Sequence, residues 1–427
     1  MENLLHYAWK YRLYSPLSLK TTDGRALEIL DPGIQNTDAG PDFFNAKIKL
    51  DDRFWAGSVE IHTLASDWKL HHHDQDRAYD VVILHVVERA DCETFRTNGE
   101  PIPQFVLEIP LSVRENIAYL LERDAPVPCL YRLSEVEPVF RTMWLDALLT
   151  ERLERKTQDV LRWLELSEGD WNEVFYIALC RNFGFGINND AFEWLAKSLP
   201  LRYILKQRGC ASQVEAMFFG QAGLLEEEIP DDPYYCLLQR EYRFLRHKFE
   251  LKPLDGMLVK RLRMRPGATP HVKLAQLAAF WTLHDGLFSA LLEARTPSEI
   301  KAFFRISPSD YWRTHYSFGR SSIEKAKPMG ENAIQIILIN TVVPLFFTYA
   351  RQRAMPQYAA RAMRLLETIP GERNNVVETF HRAGFEVRNA GDSQALIQLR
   401  REYCDKKRCL LCRIGFQLLK KGKDGGT

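Results

Sequence analysis

Hydrophobic and polar positions in the first part of the chain change their pattern every few residues, as in mixed α/β folds. Apolar runs predict strands at residues 27–30, 43–50, 55–63, 81–87 and 104–109, and helical spacing predicts helices at 4–13 and 66–79. The run VVILHVV at 81–87 is rich in β-branched residues, which predicts a strand covered on both faces. The order of these elements predicts a small α/β domain with a mixed sheet.

From about residue 111 the pattern changes to helical periodicity, which continues along the rest of the chain. The predicted helices cover residues 142–166, 171–183, 190–199, 213–225, 234–249 and 272–289. The segment DAPVPC, with two prolines, lies close to this change. We therefore predict an α/β domain at residues 1–115 and a large all-α domain at residues 116–427.

The longest apolar run, AIQIILINTVVPLFFTYA, contains Gln335, Asn340 and Pro344. These residues favour a buried helix broken at the proline over a membrane span. The N-terminal stretch MENLLHYAWK lacks the basic start and the small-residue cleavage site of a signal peptide. Together with a globular composition of 46% apolar and 26% charged residues, this predicts a cytoplasmic protein with no membrane partner.

The segment GPDFFNAKIKLDDRFWAGSVEIH contains two predicted strands and gathers candidate chemistry at one end. Side chains alternate between the faces of a strand, so pairing decides which of them meet. A three-residue turn would pair Leu50 with Phe54. Asp42 would then lie opposite His62, with Glu60 as its diagonal neighbour. A shift of one residue would separate these side chains, so the candidate site depends on register.

Neighbouring carboxylates repel each other and lose hydration when buried, and a divalent cation compensates both effects. Such an ion keeps several waters, accepts a phosphate oxygen and can activate a water for hydrolysis. Asp42 and Glu60 are therefore candidate ligands of Mg²⁺ or Mn²⁺, with the Ile61 carbonyl as a third ligand. In the alternative interpretation, Asp42 caps a turn and Glu60 pairs with His62 or an arginine.

These residues resemble the PD-(D/E)XK nuclease superfamily, whose core has the order α-β-β-β-α-β. Pro41-Asp42 matches the first half of the motif, and Glu60-Ile61-His62 matches the second half except at its last position. The resemblance implies a restriction-endonuclease-like domain that cleaves phosphodiester bonds with a bound metal.

The same resemblance implies catalytic roles for Asp42, Glu60 and His62. A glutamate on the first helix often assists in that superfamily, and Glu2 is the residue available here. The superfamily has lysine where this chain has His62. A neutral histidine could act as a base, bind the metal, or leave the site inactive.

Histidines are concentrated next to this hairpin, in the segment SDWKLHHHDQDRAYDVVILHVV. On the predicted helix Trp68 and His72 share a face, whereas His71 and His73 point elsewhere unless they lie in a loop. No His-x3-His or Glu-x2-His spacing occurs there, so a dedicated zinc site is not indicated. The group is either part of the active site or structural, and His85 reads as a hydrogen-bonded core residue.

Three cysteines near the end of the chain, Cys404, Cys409 and Cys412, have the spacing C-x4-C-x2-C. In a reduced compartment this spacing favours a zinc or iron–sulfur site over disulfides, and such a site needs a fourth ligand. The candidates for the fourth ligand are the histidines and Cys129, Cys180, Cys210 and Cys236. Alternatively, the thiols are small apolar core residues.

Charge is distributed unevenly along the chain. Residues 1–115 contain 12 basic and 19 acidic residues, whereas the remainder contains 45 basic and 37 acidic residues. Basic side chains beside a predicted helix start are candidate nucleic-acid contacts. These are Lys260, Arg261, Arg263, Arg265, Lys273 and, further along, Arg320. The alternative interpretation is an ordinary solvated surface.

Seven segments together resemble one bacterial family, domain of unknown function 2851. They are LDPGIQNTDAGPDF, GSVEIHTLASDW, YDVVILHVV, EAMFFGQAGLL, RMRPGATPHVKLAQLAA, INTVVPLFF and YCDKKRCLLC. In that family the residues corresponding to Trp68, His71, His73, Asp76 and Tyr79 recur with the two hairpin motifs. The resemblance implies that these residues support one shared site.

The sequence thus predicts a metal-dependent nuclease whose helical part binds nucleic acid. A catalytically inactive nucleic-acid-binding or scaffold protein that keeps the same fold is the main alternative. A different metal hydrolase, centred on residues 71–73, is a further one.

Overall fold

A computed structural model describes residues 2–14, 19–36, 38–261, 264, 267, 269–284 and 287–421. The chain divides into two compact units. Unit 1 comprises Met1–Trp144 and Leu399–Thr427, and unit 2 comprises Leu145–Gln398. The C-terminal cysteine segment therefore belongs to unit 1, whereas the sequence-based division placed it in the helical part.

Unit 1 is built on a mixed sheet preceded by helix α1 (Glu2–Lys10). Its strands are β1 (Leu27–Asp31), β2 (Ile34–Gln35), β3 (Phe43–Leu50), β4 (Arg53–Leu64), β5 (Val82–Arg89) and β6 (Gln104–Val106). The strand order is β1-β3-β4-β5-β6, and β2 pairs with β3 outside this path. Pairing is antiparallel from β1 to β4 and parallel from β4 to β6.

The predicted strands are present, and β5 is covered on both faces, as its apolar run predicts. A small mixed sheet followed by a large helical region is the observed fold class. Parallel pairing of β4 with β5 aligns Glu60 with His85. This pairing brings the second strand of the hairpin beside the histidine of the central strand.

The predicted register of the hairpin is wrong by two residues at the site. Leu50 pairs with Arg53, so the turn contains only Asp51 and Asp52, and Asp51 takes a left-handed φ of 50°. A β-bulge follows between Phe43 and Ala46, with Asn45 at a φ of 55°.

The bulge changes which residues of β3 point inward. Phe43, Ala46, Ile48 and Leu50 are buried, whereas Phe44, predicted on the same face as the last three, is exposed. The shorter turn and the bulge each shift the pairing by one residue. As a result Asp42 lies beside Glu60 rather than opposite His62.

The predicted helix at residues 66–79 is also wrong. The structure has only helix α2 (Asp67–Leu70), followed by turns and a 3₁₀ turn at Arg77–Tyr79. Ser66 occupies the N-cap position without capping through its side chain, because its hydroxyl donates to Asp91. The three consecutive histidines therefore lie in a loop, the alternative that the sequence leaves open.

The rest of unit 1 is helical and joins distant parts of the chain. Its elements are helix α3 (Leu111–Glu122), the 3₁₀ turns Leu130–Glu135 and Cys409–Leu411, the π-helix Leu399–Cys404 and the C-terminal helix Arg413–Lys420. The Asn116 side chain donates to the carbonyls of Leu418 and Lys421 at 3.0 and 2.9 Å. These bonds attach the C-terminal helix to α3. Residues 422–427, within the basic tail, lie outside the described residues.

Unit 2 is mostly helical. Its first helix is α4 (Pro138–Leu166), which starts before the unit boundary. The following helices are Trp171–Phe183, Asn189–Ser198, Leu201–Gln207, Ala211–Gln221, Pro233–Phe249, Pro270–Leu283, Leu287–Glu293, Pro297–Ala302, Tyr311–Thr314, Glu331–Ile337, Val343–Gln352, Pro356–Thr368, Asn375–Arg382 and Ala390–Gln398. The described residues of the unit also include a short hairpin of His315–Ser317 with Arg320–Ser321.

The predicted break in the long apolar run takes the form of a π-helix at Leu338–Val342, directly before Pro344. The wider turn accommodates a residue that cannot donate a backbone hydrogen bond. Within the described residues, Glu331–Gln352 is the one stretch long and apolar enough to cross a membrane, and 67% of its apolar window is buried in the protein. Buried core helices of globular proteins share this profile.

The contact between β4 and β5 at Gly57 predicts a stability effect. A Cβ at this position would lie 2.4 Å from Cγ2 of Ile83 and 2.8 Å from the carbonyl oxygen of Val81. We expect Gly57→Ala to lower the free energy of unfolding by about 1–3 kcal/mol, because the strand backbone cannot move away. Denaturant unfolding measures this change.

Gly209→Ala is the matched control, since a Cβ at Gly209 would meet nothing within 4 Å. Equal unfolding midpoints for the two variants would contradict the assigned role of Gly57.

Candidate metal centre

Two carboxylates are held side by side through the backbone of unit 1. The amide of Asp42 donates to Oε2 of Glu60 at 3.0 Å, and the amide of Ile61 donates to Oδ2 of Asp42 at 2.9 Å. Each carboxylate therefore accepts a hydrogen bond from a backbone amide at or next to the residue that carries the other carboxylate. The Glu60 side chain is only 6% exposed and that of Asp42 is 23% exposed. Both negative charges are thus kept close together with little contact to water.

Helix α1 contributes a histidine to this pair. Nε2 of His6 lies 3.2 Å from Oδ2 of Asp42 and 4.0 Å from Oε1 of Glu2. Burial lowers the pKa of His6, but the hydrogen bond and charge of Asp42 and the charge of Glu2 outweigh it, so the pKa is raised. Glu2 therefore lies beside His6, and the contact from α1 to Asp42 is made by His6.

The loop after α2 turns by a Schellman motif, which places its histidines. The amides of His72 and His73 donate to the carbonyls of Lys69 and Trp68 at 3.1 and 3.0 Å. His72 takes a left-handed φ of 60°, as the residue after a helix C-cap commonly does. This turn separates the exposed His72 from its neighbours on either side.

Three imidazoles converge as a result of this turn, and we call His62, His71 and His73 the histidine triad. One ring nitrogen of each lies within 4.8 Å of those of the other two. Nε2 of His62 is 3.1 Å from Nδ1 of His71. His62 and His73 are buried, whereas His71 is exposed. The triad thus has one member that reaches solvent.

Glu60 connects the triad to the carboxylate pair. Its Oε1 lies 3.3 Å from Nε2 of His73 and 3.6 Å from Nε2 of His62. Burial raises the pKa of Glu60, the hydrogen bond from His73 lowers it, and the charge of Asp42 raises it, with a net increase. Burial, with His71 and His73 nearby, lowers the pKa of His62 to about 4. His62 is therefore a neutral ring at pH 7, whereas a lysine of ordinary pKa would carry a positive charge.

A buried chain of polar groups orients His62 from behind. Nδ1 of His62 lies 2.9 Å from Nε2 of His85, whose Nδ1 lies 3.3 Å from the hydroxyl of Thr94. Gln104 donates to the same hydroxyl at 3.1 Å. Burial lowers the pKa of His85 to about 3, so this ring is neutral too. When His62 donates through Nδ1, its Nε2 lone pair faces Glu60 and His71.

The other residues predicted to support the site divide into two groups. Trp68 is fully buried and packs edge-on against His73 and at a tilt against His85, with ring centroids 5.4 and 5.1 Å away. Tyr79 stacks on His73 at 3.7 Å. Asp76, in contrast, is exposed and caps the following 3₁₀ turn by accepting from the amide of Ala78. Asp76 therefore has a local structural role in this loop.

The donor atoms have a spacing that suits one metal ion. Tetrahedral coordination with metal–nitrogen and metal–oxygen bonds near 2.1 Å places donors roughly 3.4 Å apart. Nε2 of His62 lies 3.1 Å from Nδ1 of His71 and 3.6 Å from Oε1 of Glu60, and that oxygen lies 3.3 Å from Nε2 of His73. Three imidazoles and a carboxylate suit Mn²⁺, Fe²⁺ or Zn²⁺ better than Mg²⁺. The sequence missed this set because the three histidines join only through the left-handed turn at His72.

The candidate nucleic-acid residues lie in unit 2, and the described ones differ in their exposure and partners. Lys260 and Arg320 are exposed, and Arg261 pairs with Glu227 at 3.1 Å. Arg261 and Arg320 line a cavity of about 380 Å³ with His271. Arg263 and Arg265 lie outside the described residues.

Lys273 does not fit a nucleic-acid surface. It is 9% exposed, its Nζ donates to Gln276 at 3.1 Å, and it lies 4.5 Å from the centre of the Phe185 ring. Burial lowers the pKa of Lys273 to about 8. The prediction for this residue is corrected because its position on α10 (Pro270–Leu283) faces the core.

The three C-terminal cysteines are buried in unit 1, and a fourth buried cysteine, Cys129, belongs to the same unit. Neither a curated protein nor a solved structure matches the chain significantly. The family model described as "Protein of unknown function (DUF2851)" matches residues 2–375, and the chain therefore belongs to that family.

Proposed function

We propose that this protein is a metal-dependent hydrolase of phosphodiester bonds in nucleic acid, with its metal centre in unit 1. The observation that carries the proposal is the convergence of Oε1 of Glu60 with the ring nitrogens of the histidine triad, beside the carboxylate of Asp42. A bound ion would polarise a phosphoryl oxygen and generate a nucleophilic water near neutral pH.

Some residues of the chain would bind the ion, and others would position those ligands. Glu60 and the histidine triad hold the ion, and the neutral His62 acts as a ligand in place of the superfamily lysine. Asp42 adds negative charge beside the ion, and His6, whose Nε2 lies 3.2 Å from Oδ2 of Asp42, helps to keep that carboxylate in place. His71, the exposed member of the triad, marks the side that a substrate can approach.

The order of elements supports the nucleic-acid substrate. If the two-residue strand β2 is set aside, helix α1, strands β1, β3 and β4, helix α2 and strand β5 follow the α-β-β-β-α-β order of the PD-(D/E)XK superfamily. Asp42 directly precedes the second of these three strands, and Glu60 lies on the third, as in its motif. Three features depart from that pattern: the very short helix α2, the histidine at position 62 and the additional imidazoles.

Metal binding is the first test of this proposal. We expect Glu60 and the histidine triad to bind about one Mn²⁺, Fe²⁺ or Zn²⁺. Replacing His71 or His73 with Ala should weaken binding by at least about 100-fold, since even indirect partners of a ligand contribute about 10- to 100-fold. Titration calorimetry of metal-free protein with each ion measures the affinity.

His72→Asn is the matched control, because His72 lies between the two, is exposed and suits asparagine through its left-handed backbone. Its affinity should equal that of the unchanged protein. Equal affinities for His73→Ala and His72→Asn would exclude the proposed centre.

Hydrolysis is the second test. We expect the purified protein, loaded with Mn²⁺, to cleave labelled single-stranded or double-stranded DNA or RNA. Asp42→Asn and Glu60→Gln keep the shape of the side chains but remove their charge, so cleavage should fall by at least about 100- to 1,000-fold. Gel analysis of the products gives the initial rates.

Asp52→Asn is the control for these variants, since Asp52 is a fully exposed carboxylate in the turn of the same hairpin. Cleavage that persists in Asp42→Asn and Glu60→Gln would come from another site or a contaminant. Tight metal binding without cleavage of any nucleic acid would instead favour the inactive scaffold.

A further inference from the structure

A second group of potential metal ligands lies in unit 1 and shares no residue with the site proposed for hydrolysis. Four of the eight cysteines are buried there, and we call Cys129, Cys404, Cys409 and Cys412 the four-cysteine cluster. All four are free thiols. One comes from the end of the first chain segment of the unit and three from the second segment.

Cys129, Cys404 and Cys409 each start a tight turn, and Cys412 is the N-cap of the helix Arg413–Lys420. The amides that donate to the four cysteine carbonyls belong to Arg132, Lys407, Cys412 and Phe416, at 2.9, 3.1, 3.2 and 2.8 Å. Lys407 takes a left-handed φ of 49°. Cysteines on consecutive turns can direct their sulfur atoms to one point, as in the C-x2-C elements of metal sites.

The thiols lie close enough to affect each other's ionisation. Burial, together with a charge on Cys412, raises the pKa of Cys129 to about 12 and that of Cys409 to about 11. Burial likewise raises the pKa of Cys404, and charges on the other three cysteines add to the effect. A cation at the centre would remove this mutual repulsion.

The surroundings of Cys412 offer hydrogen bonds to a thiolate rather than to a thiol. Burial raises its pKa, whereas the amides of Ile414 and Gly415 and the indole of Trp144 lower it. Among the described residues, the buried indole N–H of Trp144 has no hydrogen-bond acceptor. A thiolate at Cys412 would give this N–H an acceptor, and N–H groups directed at sulfur are the usual outer support of metal-bound cysteine.

We propose that the four-cysteine cluster is a four-thiolate metal centre, with Cys129 as the ligand that completes the C-x4-C-x2-C segment. Simple packing of small apolar thiols would explain burial but not the N–H groups gathered at Cys412. The centre would fasten the last described segment of the chain to the start of the 3₁₀ turn Leu130–Glu135.

The spacing of the sulfur atoms favours an iron–sulfur cluster over a single zinc ion. One Zn²⁺, with Zn–S bonds near 2.3 Å, holds four sulfur atoms roughly 4 Å apart. No three sulfur atoms of the four-cysteine cluster, all of which belong to described residues, lie within 4.8 Å of one another. A cluster places its own iron and sulfide between the thiolates and so holds them further apart.

Protein purified without oxygen tests this inference. We expect about four iron and four acid-labile sulfide ions per chain, with a broad visible absorption band. Cys129→Ser should lower the iron content at least about tenfold, whereas Cys210→Ser, at an exposed cysteine of unit 2, should leave it unchanged. Elemental analysis and the absorption spectrum give both values.

A second measurement uses the unchanged protein and does not depend on folding of the variant. Removal of the metal with a chelator should increase the number of thiols that react rapidly with DTNB by up to four. One zinc per chain that depends on Cys129 would retain the four-thiolate centre and overturn the iron–sulfur assignment. Absence of both metals, or full metal content in Cys129→Ser, would overturn the proposal itself.

Discussion

Compensation of two neighbouring negative charges is the constraint on which the candidate site depends. Asp42 and Glu60 are held together because each accepts a backbone amide from the chain segment that carries the other. Burial makes both charges costly unless positive or polar groups face them. His6 faces one carboxylate and His73 the other. The strands, the first helix and the histidine loop are thus all tied to the same pair of charges.

Local irregularities of the backbone, rather than regular elements, bring the site together. A bulge with Asn45 in the left-handed region moves Asp42 next to Glu60. The left-handed His72 turns the loop so that His71 and His73 approach His62. Non-glycine residues in this conformation carry strain, which clusters at functional sites. Parallel pairing of β4 with β5 then adds the buried support of His85 behind the triad.

The sequence predicted the strands of the sheet, because apolar alternation and runs of β-branched residues report strands directly. The β3 strand was predicted at its observed bounds, and Asp42 and Glu60 were expected to be neighbours. The predicted register was wrong because a bulge leaves no mark in the apolar pattern. The predicted helix at 66–79 was wrong because helical spacing competes with turn geometry. His6 was missed because its contact with Asp42 is tertiary and has no motif.

Unit 1 is discontinuous, since Leu145–Gln398 separates its two parts in sequence. During synthesis the sheet and α3 emerge first, but the residues that accept the hydrogen bonds of Asn116, near Leu418, are added about 250 residues later than the boundary. At about 5–20 residues per second the ribosome needs roughly 10–50 s for this interval. The apolar face of α3 that the C-terminal helix covers therefore stays uncovered for that time.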